Sequence, residues 1–189
     1  MRKNFNDKRR GPILYPQPVF IIAAYNNDGT PNAMNVAWGG ISDSDELSFC
    51  VAEDHKTTQN ILSRKAFTVS MADATHVVEC DYLGIVSGND VPDKMIRAGF
   101  HCIKSEFIDA PIIQELPMAI ECTLVSYDEE SCRLVGKIVN VSADECVLKE
   151  DGRIDPSKLR PITYDSMNQA YLVIGEKVGN AFRDGVKLK

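Results

Sequence analysis

Two short stretches hold residue types from which chemistry could be built. In the first, Asp54-His55-Lys56-Thr57-Thr58-Gln59-Asn60, a lysine and two hydroxyls stand where a strand-like run gives way to a helix-like one. Backbone N–H groups at a helix start lack partners within the helix and favour an anion. Lys and Thr add donors of the kind a phosphate takes. Taken alone, N-capping by Thr57 is the plainer reading. The second stretch is Asn32-Ala33-Met34-Asn35-Val36-Ala37-Trp38-Gly39-Gly40. Its small residues and paired glycines let a flat group approach the backbone. An ordinary strand closed by a Gly-Gly turn would read the same.

Together the two stretches offer a bed for a ring system and, some twenty residues on, a cradle for a phosphate. A flat ring compound with a terminal phosphate, such as FMN, needs both. Other chemistry lacks its constellation. There is no G-x-G-x-x-G, no G-x-x-x-x-G-K-[ST] and no G-x-S-x-G, and His55, His76 and His101 lack the spacing of a zinc helix. Asp43-Ser44-Asp45-Glu46 reads as a solvated turn, because the rest of a calcium loop is missing. The six cysteines form no C-x-x-C pair and read as reduced, mostly buried thiols, so no metal site is expected. No side chain is a candidate for acid–base or nucleophilic catalysis, so redox chemistry here would have to come from a cofactor.

Composition narrows the class further. A formal charge of −6 argues against a nucleic-acid partner. The one basic cluster, Arg2, Lys3, Lys8, Arg9 and Arg10, reads as a solvated tail over residues 1–12. No run reaches the ~18 apolar residues of a membrane span, and the N-terminus lacks the apolar core of a secretory signal. A cytoplasmic protein of one domain, residues 1–189, is expected.

These stretches need elements to hold them. The alternation predicts strands over 19–25, 32–36, 46–52 and 66–71, the first three as an antiparallel meander with a turn at 26–29. Helices are predicted from Thr57, over 74–82 and over 91–99, the last ended by Gly99. Strands return over 119–127, 133–142 and 146–149. A loop from Arg160 then leads to a final strand at 171–174. Many short strands with a few helices imply a mainly β fold, a small barrel with added helices.

The motif order resembles the flavin reductase-like, FMN-binding split-barrel family, in particular its flavoredoxin-type branch. The pieces are N-A-M-N-V-A-W-G-G (32–40), F-C-V-A (49–52), H-K-T-T-Q-N-I (55–61), A-F-T-V-S (66–70), S-G-N-D-V-P-D-K-M-I-R-A-G (87–99) and D-G-R-I-D-P-S-K-L-R-P-I-T-Y (151–164). The resemblance implies a homodimer with one FMN per subunit near the interface. By position, Asn35, Val36, Ala37 and Trp38 would lie along the isoalloxazine, with Cys50, Val51 and Ala52 flanking it. Lys56, Thr57 and Thr58 would hold the phosphate, with Asn60 nearby, Lys94 as a second cation, and Ser87 and Gly88 shaping the loop. His55 either contacts the phosphate or folds away. Trp38 either stacks beside the ring or plugs the barrel. Cys50 reads as a buried strand residue rather than a reactive thiol, and Tyr164 and Tyr171 are further candidates near the ring. Two functions fit such a site. One is an oxidoreductase taking hydride from NADH or NADPH, and the other is an electron carrier reduced by a partner protein. A flavin-free barrel is the third class.

Overall fold

The computed structural model describes Arg2, Asn4, Phe5 and residues 13–189. Apart from Arg2, the expected basic tail (Lys3, Lys8, Arg9, Arg10) lies outside the described residues. In chain order the elements begin β1 (Phe20–Tyr25), β2 (Pro31–Val36), β3 (Gly39–Asp43), β4 (Glu46–Cys50), α1 (Lys56–Arg64) and β5 (Ala66–Met71). Then come α2 (Val77–Ile85), α3 (Lys94–Arg97), β6 (Cys102–Lys104), β7 (Pro111–Ile113), β8 (Met118–Asp128) and β9 (Arg133–Ala143). α4 (Pro156–Leu159), β10 (Ile162–Asp165) and β11 (Ala170–Val173) complete the main elements.

Seven strands form one antiparallel sheet in the order β2-β1-β5-β8-β9-β4-β3. β2 and β3 are its two edges, yet only Ala37 and Trp38 lie between them in the chain. Six strand spacings of a flat sheet would separate the edges by roughly 29 Å. Three Cα steps reach at most about 11 Å. The sheet must therefore curl until its edges approach, which makes a half-barrel. Val36 at the end of β2 shares the interior with Leu47, Phe49 and Val51 from the β4 side. Phe20, Phe49 and Phe67 fill that interior edge to face, with centroids 5.3 and 6.4 Å apart.

β1 is buried on both faces, which explains its unbroken apolar run. Phe20, Ile22 and Ala24 point into the barrel. Val19, Ile21 and Ala23 point outward, against Cys80 and Leu83 of α2 and Met95 of α3. The turn after β1 is closed by Asn26 N–H to Thr30 O at 2.8 Å, with Gly29 at φ +86°.

Several expectations need correction. The meander is only partial, because β2 pairs with β1 whereas β4 pairs with β3 and β9. Gly39-Gly40 opens an edge strand and is not a turn. A Cβ on Gly39 would stand 2.2 Å from Phe49 Cδ1 and 2.8 Å from Ser48 O, so the barrel's own phenyl ring is what approaches it. α2 starts later than expected because the Asp73 carboxylate accepts from the N–H groups of Thr75 and His76, both at 2.8 Å, and holds them out of the helix. Residues 145–147 form a 3₁₀ turn in place of a strand. The stretch after Arg160 is no loop, since Ile162–Asp165 pairs with Ala170–Val173 as a hairpin. Of the six thiols only Cys80 and Cys122 are buried, and Cys50 and Cys146 are exposed.

The Gly39 contact sets a test. Gly39→Ala should lower unfolding free energy by about 1–3 kcal/mol, the usual range for overpacking. Gly40→Ala, with nothing within 4 Å of its added Cβ, should change it by less than about 0.5 kcal/mol. Urea midpoints of the two variants check this.

Candidate functional site

α1 begins after a five-residue link from the end of β4. His55 occupies the N-cap position in an extended conformation, with no side-chain cap bond. Thr57 is thus not the cap. It lies inside the first turn, buried, and its Oγ1 accepts from Asn32 Nδ2 at 2.7 Å. The first helical bond runs from Gln59 N–H to His55 O at 3.0 Å. The N–H groups of Lys56, Thr57 and Thr58 therefore lack helical partners.

α2 ends beside this turn. Lys94 of α3 is only 2% exposed. Its Nζ donates to Val86 O at 3.0 Å and to Leu83 O at 3.3 Å, so it closes the α2 end with two of its three protons. Gly88 lets the following loop come close. A Cβ there would meet Asn32 Oδ1 at 2.3 Å and Lys56 Cγ at 3.1 Å. Met34, Asn35, Lys56, Thr57, Ser87, Gly88 and Lys94 line a cavity of about 280 Å³ between α1 and the α2 end.

A larger cavity of about 640 Å³ continues from it, sharing Met34, Asn35, His55, Gly84 and Ile85. Val36, Ala37 and Trp38 form one side and Cys50 and Val51 another, while Asp81, Tyr164, Gln169 and Tyr171 complete the wall. Tyr171 O–H donates to Asp81 Oδ1 at 2.7 Å. Burial, with the Asp81 hydrogen bond second, pushes the Tyr171 hydroxyl up, so it keeps its proton. Asn35 Nδ2 donates to Cys80 O at 3.0 Å and ties β2 directly to α2.

The cleft brings together most of the residues picked out from the sequence: Asn35, Val36, Ala37, Trp38, Cys50, Val51, His55, Lys56, Thr57, Ser87 and Lys94. Ala52, Thr58 and Asn60 do not line it. Helix geometry explains the last two, because successive residues turn by about 100° and cannot all face one side. Thr58 is 0% exposed, and its Oγ1 has no hydrogen-bond partner. Asn60 is turned to the β1–β2 turn, donating to Asn26 Oδ1 at 2.8 Å. Trp38 is half-exposed and does not plug the barrel. Cys50 is exposed because Phe49 takes the inward position of the alternating strand. Asp81, Gly84, Ile85 and Gln169 were not picked out from the sequence. The i, i+3, i+4 spacing of the first three marks one face of α2, but only once Cys80 and Leu83 are known to fill the other.

The donor set at the narrow end suits a phosphate: two cations, open helix N–H groups, two hydroxyls and a glycine that clears space. The wide end suits a flat, mostly apolar ring. Residues 12–168 match the flavin reductase like domain. The chain belongs to the flavin reductase like family. Among solved members with this fold, flavoredoxin of Desulfovibrio vulgaris (Miyazaki F) is 33% identical, superimposes with a TM-score of 0.91, and is matched over 98% of this chain and 100% of its own. Flavoredoxin from Methanosarcina acetivorans is 26% identical, with a TM-score of 0.87 and full coverage of both chains. An uncharacterized protein of Aeropyrum pernix is 27% identical over 119 residues, 62% of this chain and 45% of that protein's length. Among the described residues no helix of this flavin reductase like chain is long and apolar enough to cross a membrane.

Lys94 gives the site a pH signature. Burial lowers its ammonium to about 8, against an ordinary value near ~10.4. Between those values the unfolded chain holds a proton that the folded chain has released. Its contribution to stability therefore rises with pH across that window. Burial pushes the Cys80, Cys102 and Cys122 thiols up to about 12, which acts in the opposite direction. Subtracting Lys94→Met from wild type removes the thiol contribution. In urea titrations at about pH 7, 9 and 10.5 the wild type should gain stability relative to the variant. A difference independent of pH would show that Lys94 titrates as a solvated lysine.

Proposed function

We propose that the chain is an FMN-binding oxidoreductase of the flavin reductase type, with the flavin held in the continuous cleft. The observation that carries this reading is the cleft's polarity. Lys56, Thr57, Ser87 and Lys94 lie at one end, and Val36, Trp38, Tyr164 and Tyr171 at the other. A ring joined to a phosphate by a short polyol matches that division, and the cavity volume lies within the ordinary range for cofactor sites. Lys56, the Thr57 hydroxyl, the Lys94 ammonium and the first N–H groups of α1 would hold the phosphate. Asn35 to Trp38 and Cys50 to Val51 would hold the ring.

When bound, FMN supplies the redox chemistry, accepting two electrons and a proton equivalent from NADH or NADPH. The chain's own part is binding and orientation. The half-exposed Trp38 leaves the wide end open to a second ring. Tyr171, held by Asp81, keeps a neutral hydroxyl at that end. We read the functional unit as a homodimer and place it in the cytoplasm; exposed apolar side chains such as Ile85 at the cleft and Ile41 on the β3 edge support the dimer.

The full-length similarity to flavoredoxins favours a second reading, an electron carrier with tightly held FMN reduced by a partner protein. Adding NADH or NADPH to the anaerobic, flavin-loaded protein separates the two. Bleaching of the flavin band supports the enzyme. No bleaching with either nucleotide contradicts it and favours the carrier.

Lys56 tests the phosphate end. A hydrogen bond to a charged group contributes about 1.5–3 kcal/mol, so Lys56→Ala should weaken FMN binding roughly ten- to a hundredfold. Riboflavin, which lacks the phosphate, should bind the variant as it binds wild type. Equal losses for both ligands would show that Lys56 does not touch phosphate.

A further inference from the structure

A separate cavity of about 460 Å³ opens on the other side of the Trp38 strand link, and it shares Ala37, Trp38 and Cys50 with the cleft. Leu14, Trp38 and Phe49 make its walls apolar, and Gln17, Ser131 and Arg133 supply its polar groups. Two of those groups have unmet demands. Gln17 is 5% exposed and donates through Nε2 to Ala37 O at 3.2 Å, while its buried Oε1 has no hydrogen-bond partner. Buried acceptors in native proteins are almost always paired.

Arg133 is the second. It opens β9 directly opposite Cys50 of β4, so the two side chains share the outer face of the sheet. Its other cross-strand neighbour is Asp128. Oδ1 of that carboxylate accepts from Ser131 N–H and Ser131 O–H, both at 2.7 Å. Among the described residues the Arg133 guanidinium has no carboxylate within ion-pair distance. A free planar cation at the rim beside an indole and apolar walls makes one recognisable set, with the Gln17 acceptor enclosed behind it.

We propose that this cavity binds a small aromatic carboxylate, with its ring against Trp38 and its carboxylate on Arg133. Guanidinium and carboxylate match as a two-point pair, which favours a carboxylate over a neutral isostere. An inorganic anion would use Arg133 but leave the apolar walls exposed. The site abuts the ring end of the cleft, so it would serve as a substrate or effector position. That role rests on the FMN reading, whereas the binding itself does not.

Trp38 is the only tryptophan in the chain and lines both this cavity and the cleft, so its emission reports binding at either and FMN saturation tells the two apart. 4-Hydroxybenzoate is titrated into flavin-free and FMN-saturated protein, with binding followed by calorimetry and, in the flavin-free sample, by Trp38 fluorescence. Saturable binding that persists with FMN present is expected. 4-Hydroxybenzamide, the uncharged isostere, should bind at least tenfold more weakly. Arg133→Gln should lower the benzoate affinity to the benzamide level and leave FMN affinity unchanged. Three results would overturn the proposal: no saturable binding, equal binding of acid and amide, or full displacement of the benzoate by FMN, which would place it in the cleft. If the protein takes up the benzoate but no FMN, the cofactor reading fails and this one stands.

Discussion

Everything in the site depends on a link of two residues. Ala37 and Trp38 join strands that stand at opposite edges of a seven-stranded sheet. No flat sheet can satisfy so short a link, so the sheet curls and the ends of β2 and β4 come to the same place. The two segments that line the wide end of the cleft are therefore neighbours because of the chain's reach, and Cys50 N–H donates to Trp38 O at 2.8 Å where they meet. Closing the sheet also creates the interior that Phe20, Phe49 and Phe67 fill. The hydrophobic core and the cleft are two consequences of one geometric constraint.

The narrow end is built by a different device. α1 starts with open N–H groups, and α2 ends with open carbonyls a short distance away. Lys94 answers the second need, donating to Leu83 O and Val86 O. A helix end that faces its own lysine and a helix start that faces a cavity leave a local excess of donors. Such an excess is tolerable where an anion completes it. The wide end carries the opposite sign, since Asp81 is its charged residue beside two tyrosines. That contrast gives a ligand with a phosphate at one end a single favourable orientation.

Much of this was legible in the chain. β1, β5 and the β8–β9 hairpin stand out because apolar alternation or an unbroken apolar run is bounded by turn residues. β3 was not legible. Gly39, Gly40, Ser42 and Asp43 are poor strand formers, and the strand exists only because β4 offers it a partner. β6, β7 and β10, at three or four residues each, are too short for a period to appear. Residues picked out from the sequence fall together in the cleft where they follow one another along extended chain, as with Asn35 to Trp38. On α1 they part, because rotation about the helix turns Thr58 and Asn60 inward. The contributions from α2 and the β10–β11 hairpin depend on long-range packing, for which no local pattern exists.

The central claim is that the cleft holds one FMN per chain, and uptake of the cofactor tests it most directly. The flavin-free protein is incubated with excess FMN, freed of unbound ligand, and its visible spectrum and extracted flavin are measured against protein concentration. The account predicts a yellow protein carrying close to one FMN per chain. A colourless protein that retains no flavin after the same treatment would contradict it.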